Sequence, residues 1–228
     1  MSRFFRADPQ SRSAFAIAEP GYPFIAAAGF ATLVFALVGI ASLAIAGLAA
    51  TFFICWFFRD PDRFTPDEPG AVISAADGKV VSVRRMEQNP FVDGSCLQIG
   101  VFMNIFNVHV NRIPCSGRVE DIRYVPGSFM PADKKEASTR NEHNAVIMTT
   151  GGGGHTLAAV QIAGLVARRI ICNAAAGQEV TAGQRFGMIC FGSRVDLYLP
   201  EGSQAAVSPG DRVRAGTTVM GYLPGRQS

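Results

Sequence analysis

The sequence predicts a mostly β catalytic domain, a β-sandwich or barrel-like fold with an internal repeat, preceded by a transmembrane helical hairpin. Three observations carry that expectation. Short runs of apolar and β-branched residues alternate with turn residues through most of the chain. The heptapeptide Gly177-Gln178-Glu179-Val180-Thr181-Ala182-Gly183 recurs 33 residues later as Gly210-Asp211-Arg212-Val213-Arg214-Ala215-Gly216, with Gly, Val, Ala and Gly matched in place. And the 38 residues from Gly21 to Phe58 contain no Asp, Glu, Lys or Arg.

That uncharged stretch is too long for one span of about 20 residues and just enough for two short ones. The first is placed at 24–37 and the second at 41–58, with the turn near Gly39. A hairpin returns both ends to one side. Arg3, Arg6 and Arg12 before it, outweighing Asp8 and Glu19, with Arg59 and Arg63 after it, make that side the cytoplasm. Ala26, Ala27, Ala28, Gly29, Ala41, Ala44, Ala46 and Gly47 are small enough for close helix approach. A cleaved signal peptide is the competing reading, through Ala44-Ile45-Ala46. However, the apolar run continues through Phe52, Phe53, Ile54, Trp56 and Phe58, beyond an h-region of about 7 to 15 residues. An interfacial amphipathic helix fails for want of a polar face.

Arg59-Asp60-Pro61-Asp62-Arg63-Phe64-Thr65-Pro66 is a charged, proline-marked exit, so residues 1–58 read as the membrane segment and 59–228 as the catalytic domain. In that domain strands are expected at 71–73, 79–83, 96–102, 119–124, 145–150, 156–162 and 169–172. Turns are expected at Asp77-Gly78, Asp93-Gly94, Pro126-Gly127 and Gly151 to Gly154. The four glycines lack the lysine and helix of a phosphate-binding loop, and read as a hairpin tip. A net charge of +3 without a basic, aromatic-interleaved cluster excludes nucleic acid. Cys55, Cys96, Cys115, Cys172 and Cys190 are odd in number with no C-x-x-C pair. That opposes a disulfide framework or a metal site and favours a reducing compartment.

The chemistry centres on Phe191-Gly192-Ser193, where an apolar run leads in and the alternation Val195, Leu197, Leu199 of a half-buried strand leads out. A glycine before a serine at a bend permits an unusual backbone angle and leaves its carbonyl open to the neighbouring hydroxyl, which suits self-cleavage. Ser193 Oγ attack on the Gly192 carbonyl gives an ester, β-elimination gives a dehydroalanine, and hydrolysis gives a pyruvoyl group. The plain reading of an isolated Gly-Ser is a bulge or turn. Of the three histidines, His109 lies between valines and can accept a proton from a hydroxyl, although a core histidine is the blander reading. His155 reads as an exposed turn residue, and His143 has no derivable role. Asp77 is either a turn aspartate before glycine or the carboxylate that orients His109.

Four motifs in order, Phe57-Phe58-Arg59-Asp60-Pro61-Asp62-Arg63, Ala76-Asp77-Gly78, Phe106-Asn107-Val108-His109-Val110-Asn111-Arg112-Ile113-Pro114 and Phe191-Gly192-Ser193, resemble phosphatidylserine decarboxylase proenzymes of the short membrane-anchored bacterial form. The resemblance covers nearly the whole chain. It implies cleavage between Gly192 and Ser193, with Asp77 and a histidine assisting and with a covalent pyruvoyl group from Ser193 as cofactor. It also implies decarboxylation of phosphatidylserine to phosphatidylethanolamine through a Schiff base, His109 being the expected proton donor. The implied location is the cell inner membrane with the catalytic domain cytoplasmic. The implied partners are the lipid substrate, the membrane and the two associated fragments; whether a homodimer forms is left open. Two departures stand out. Many members carry a second histidine where this chain has Arg112, and Arg194 follows Ser193 where longer relatives have threonine.

Two rivals remain from the residues alone. A membrane-tethered lipoyl-like β-sandwich carrier needs a lysine at a hairpin tip, but Lys79, Lys134 and Lys135 lie outside the repeats. An uncleaved hydrolase built on Ser193, His109 and Asp77 lacks the G-x-S-x-G elbow.

Overall fold

The computed structural model describes residues 3–5, 17–134, 136–151, 154–165, 169–190 and 192–225. Arg6, Asp8, Arg12, Lys135, Gly152, Gly153 and Phe191, on which parts of the sequence reading fall, lie outside the described residues. The chain divides into two compact units, Gln10–Asp62 and Met1–Pro9 together with Arg63–Ser228.

In the first unit, helices α1 (Tyr22–Leu37) and α2 (Ala41–Phe57) pack on one another across a turn in which Gly39 takes φ 81°, as the sequence led one to expect. Close approach occurs at Gly47, where a Cβ would press on Thr32 Oγ1. Gly29, by contrast, faces open space. Thr32 and Thr51 return their hydroxyls to the carbonyls of Ala28 (2.7 Å) and Gly47 (2.8 Å), which satisfies them within the hairpin. Neither helix has a polar face. Phe30, Leu37, Ile45 and Phe52 are each at least 67% exposed, a surface that water does not favour. Among the described residues, Glu19–Leu37 is long and apolar enough to cross a membrane, and Ala41–Phe57 is a shorter apolar helix.

The second unit is built of antiparallel strands. In chain order they are β1 (Arg3–Phe5), β2 (Thr65–Asp67), β3 (Ala71–Ile73), β4 (Gly78–Met86), β5 (Cys96–Met103), β6 (Val110–Arg112) and β7 (Gly117–Val125). After the short helix α3 (Ala137–Arg140) come β8 (His143–Thr150), β9 (Thr156–Ile162), β10 (Ile170–Cys172), β11 (Glu179–Val180) and β12 (Arg185–Ile189). The last four are β13 (Ser193–Pro200), β14 (Gln204–Ala205), β15 (Arg212–Val213) and β16 (Val219–Tyr222). An eight-stranded sheet, ordered β11-β7-β8-β9-β13-β5-β4-β15, curls into a half-barrel, and two three-stranded sheets, β10-β12-β6 and β14-β16-β3, accompany it.

The sheet order is a palindrome, and the repeat glimpsed in the sequence is its signature. The heptapeptide copies form the two edge strands, β11 and β15, each pairing its valine with the glycine that opens a nine-residue strand: Val180 with Gly117, and Val213 with Gly78. The surrounding bonds match one for one. Gly177 N donates to Val119 O (2.7 Å) as Gly210 N donates to Val80 O (2.8 Å). Gly183 N donates to Ile113 O (2.8 Å) as Gly216 N donates to Ser74 O (2.8 Å). Bulges fall at the same place in both copies, after Val80 and after Val119. A pseudo-twofold axis therefore runs between β9 and β13, relating β3–β5 to β6–β8 and β9–β12 to β13–β16.

The inner face of the large sheet carries the main apolar core, in which Val195, Leu197 and Leu199 join Ile99, Val101, Val146, Met148 and Leu157. The strand β13 is not half-buried, as its alternation implied. It sits at the centre of the sheet and its opposite face is buried too, because Phe91, Val92, Tyr198, Val160 and Ile162 form a second apolar cluster there.

Candidate active site

Ser193 opens β13. It is fully buried, and its Oγ makes no hydrogen bond among the described residues. Gly192 before it takes φ 34°, left-handed backbone that glycine adopts without a Cβ penalty. The register Arg194↔Ile162 carried two residues further sets Gly192 against Gly164. A Cβ on Gly164 would collide with the Gly192 carbonyl oxygen, so the carbonyl that the cleavage chemistry requires is packed against backbone that must stay bare. Sequence inspection missed Gly164, since two glycines so far apart in the chain give no local sign of facing one another.

The sheet register brings Asp77 towards Ser193. Ser193 pairs with Met103 on β5, and the β4–β5 register places Gly78 opposite Met103, so the residue after Asp77 lies on the same cross-strand row as Ser193. Asp77 is largely buried, and its carboxylate is held at both ends. Ala215 N donates to Oδ1 (2.7 Å), and Arg63 Nη2 donates to Oδ2 (2.9 Å). From the sequence Arg63 was read as a flanking positive charge and as the end of the first motif, without a role at Asp77. His109, fully buried, precedes β6, and its carbonyl accepts Ile189 N (3.4 Å) at the end of the strand that leads into Gly192.

The pseudo-twofold relates each of these three neighbourhoods to one on the other half. Under it Ser193 corresponds to His155, Gly192 to Gly154, Asp77 to Ser116 and His109 to Gly70. Three of those counterparts, His155, Ser116 and Gly70, line a single cavity of about 560 Å³ with Thr150 and Ala182. The counterparts of Ser193, Asp77 and His109 thus share one cavity wall, and the two halves differ in side-chain chemistry at those positions. His155, read as an exposed turn residue, is instead partly buried in the cavity wall. His143 is buried, with Nδ1 2.8 Å from Asn141 O and its ring at the edge of Phe91.

Two polar networks hold this region. On the inner face Gln161 Nε2 donates to Asn111 Oδ1 (2.9 Å), and Asn144 Nδ2 to Gln161 Oε1 (3.1 Å). Asn111 Nδ2 reaches Met103 Sδ (3.8 Å), so the row that carries Ser193 is tied to the His109 motif. Arg112 is buried and donates from Nη1 to Gly183 O (2.9 Å), a strut to the first repeat. On the outer face Arg194 Nε and Gln98 Nε2 each donate to Asp196 at 2.5 Å, Arg194 Nη2 donates to Ser82 Oγ (2.9 Å), and Arg84 Nε donates to Gln98 Oε1 (2.6 Å). Burial pushes the Asp196 carboxyl above the usual carboxylate range, and Arg194 and Gln98 pull it back. Gly100 is bare because a Cβ there would meet Arg194, Ser82 and Asp196. Arg194 therefore faces away from the inner core, on the side opposite Ser193, and keeps β13 in register from behind. All five cysteines are free, and burial pushes Cys115 up to about 12.

Comparison with known proteins gives one consistent result. Residues 50–221 match the family model described as phosphatidylserine decarboxylase. Similar relatives include proteins named phosphatidylserine decarboxylase proenzyme. That of Desulfotalea psychrophila is 47% identical over 207 residues, covering 91% of this chain and 96% of its own. That of Burkholderia mallei is 49% identical over 208 residues (91% and 95%), and that of Geotalea uraniireducens is 45% identical over 208 residues (91% and 97%).

Proposed function

The chain belongs to the phosphatidylserine decarboxylase family, and on that premise we propose that it is a self-processing decarboxylase acting on phosphatidylserine, its relatives' named substrate. The observation that carries the reading is a buried serine hydroxyl without a hydrogen-bond partner among the described residues, beside a left-handed glycine whose carbonyl rests against bare backbone. Ser193 Oγ adds to the Gly192 carbonyl carbon and the peptide C–N bond breaks, leaving an ester and a free amine. Removal of the Ser193 α-proton expels the Gly192 carboxylate, and water then replaces the enamine nitrogen, which leaves as ammonia. In this scheme His109 takes the hydroxyl proton, and Asp77 orients its ring and stabilises the imidazolium. The hydroxyl donor for the ester and the position for the new terminus are one residue, so the site fits a pyruvoyl group at 193. Such a group supplies a ketone conjugated to an amide, an acceptor for the electrons released as carbon dioxide leaves.

In the mature site the chain's own residues have limited tasks. His109, shielded from water, delivers a proton to the carbon that lost its carboxylate. The apolar inner face keeps bulk water from the reacting carbon. The carrier alternative finds no specific observation in its favour. Residues 1–58 act as the membrane segment and 59–228 as the catalytic domain, with the hairpin inserted in the inner membrane and the catalytic domain on the cytoplasmic side. Helix α2, at about 26 Å by 1.5 Å per residue, falls short of a ~30 Å hydrocarbon layer, so insertion as a hairpin suits it.

Intact-mass measurement of the purified chain tests the reading. Two pieces are expected, residues 1–192 and 193–228, the smaller lighter by one ammonia than a serine-headed peptide. A single uncut chain opposes it. Replacing Tyr22–Phe57 with a short Gly-Ser linker should move the protein from the membrane pellet to the supernatant; continued sedimentation with lipid would assign membrane binding to other surfaces.

A further inference from the structure

The duplicated frame separates the scaffold part of Asp77 from the rest of it. On one half Ala215 N donates to Asp77 Oδ1 at 2.7 Å; on the other Ala182 N donates to Ser116 Oγ at 3.0 Å. Both acceptors precede the glycine that opens a long strand, and both fasten the alanine of a heptapeptide copy. That bond is architectural, because the half without Ser193 keeps it with a neutral hydroxyl. A serine has one side-chain oxygen, and it is spent there. Asp77 has a second, and Arg63 Nη2 holds it at 2.9 Å, with the two side chains only 14% and 11% exposed. Arg63 is itself steered: its stem packs beside Gly216, and Thr65, two residues on, donates its hydroxyl to Gly216 O (3.0 Å).

We propose that Arg63 is a positioning residue for self-cleavage, its guanidinium fixing the second oxygen of Asp77 on a frame whose other half carries a hydroxyl with a single oxygen. With one oxygen on a backbone N–H and the other on Arg63, the carboxylate plane cannot rotate. The bonds occupy two of its roughly four acceptor directions, so the others keep a set aim. Arg63 touches neither the cleaved bond nor the substrate; it acts through Asp77. The proposal rests on the self-cleavage reading, and the experiment separates the two.

Maturation is followed by intact mass over time in freshly synthesised full-length chain, beside thermal melting. Splitting of the unaltered chain establishes the reading itself. Arg63→Gln should slow splitting by about tenfold or more, and Arg63→Lys should recover it to within about threefold, because a cation of similar reach restores the charge but not the fork. Arg63→Gln placed on Asp77→Asn should add no further slowing, since both act on one carboxylate. Asp77→Ser should retain its melting transition, because the bond to Ala215 survives in the form its counterpart uses, yet split at least tenfold more slowly. Normal splitting of Arg63→Gln overturns the proposal, and so does multiplication of its loss with that of Asp77→Asn. Should Arg63→Gln not fold, Arg63→Lys decides: a folded chain that splits measurably more slowly than the unaltered one upholds the assignment, and splitting at the unaltered rate overturns it.

Discussion

Ser193→Ala is expected to yield one uncut chain of full mass, with a melting temperature equal to or above that of an unprocessed native chain. The substitution removes one oxygen from a fully buried position where that oxygen has no hydrogen-bond partner among the described residues. An unsatisfied buried hydroxyl costs on the order of 1 kcal/mol or more, so its loss does not weaken the fold. The β13 ladder to Met103 is made by backbone and is untouched. Chemistry and stability should therefore part company: no ester, no elimination, no ketone terminus, and an intact core. Mass spectrometry and a thermal melt on one sample check both halves. Cutting at the same bond in this variant would remove Ser193 as the nucleophile, and a large loss of stability would show that the hydroxyl was bonded after all.

The largest effect on stability is expected at Asp196, on the outer face of the strand that Ser193 opens. Asp196→Ala should destabilise the protein by about 3–5 kcal/mol, the range found when one partner of a buried ion pair is deleted, because Arg194 is left charged at 3% side-chain exposure with only Ser82 Oγ in place of its carboxylate. Asp196→Asn should lose less, since an amide oxygen still accepts from Arg194 and Gln98. Denaturant melts of the three proteins on a Ser193→Ala background, where processing cannot complicate the transition, give the ranking. Equal stability of Asp196→Ala and its parent would mean that water or a neighbouring side chain compensates Arg194. Since Arg194 immediately follows Ser193, the Ala variant should also mature more slowly when Ser193 is present.

Much of the architecture was legible because it is local. The helical hairpin could be placed within a few residues, its turn at Gly39 included, since thirty-eight uncharged residues with one central glycine admit few alternatives. Strands such as β3 and β9 were bounded correctly by their turn residues. The heptapeptide pair showed as a repeat because glycines with positive φ, at 177, 183, 210 and 216, must recur wherever the same turns recur. The burial of β13 on both faces was not legible. Alternation of Val195, Leu197 and Leu199 with Arg194, Asp196 and Tyr198 is the pattern of a solvent-facing strand, and only the surrounding loops and the Arg194–Asp196 pair turn its polar face into an interior.

The sequence by itself determined the longer strands of the large sheet, the apolar hairpin and the identity of the serine, histidine and aspartate that could carry chemistry. The tertiary structure decided who faces whom: Gly164 under the Gly192 carbonyl, Arg63 on Asp77, Gln161 on Asn111, and a twin frame in which Ser116, Gly70 and His155 stand at the matching places. The physical reason is that a strand's side-chain period is written in neighbouring residues, whereas its partner is chosen by sheet order and register, which join positions up to 151 residues apart, as Ala71 and Tyr222 are.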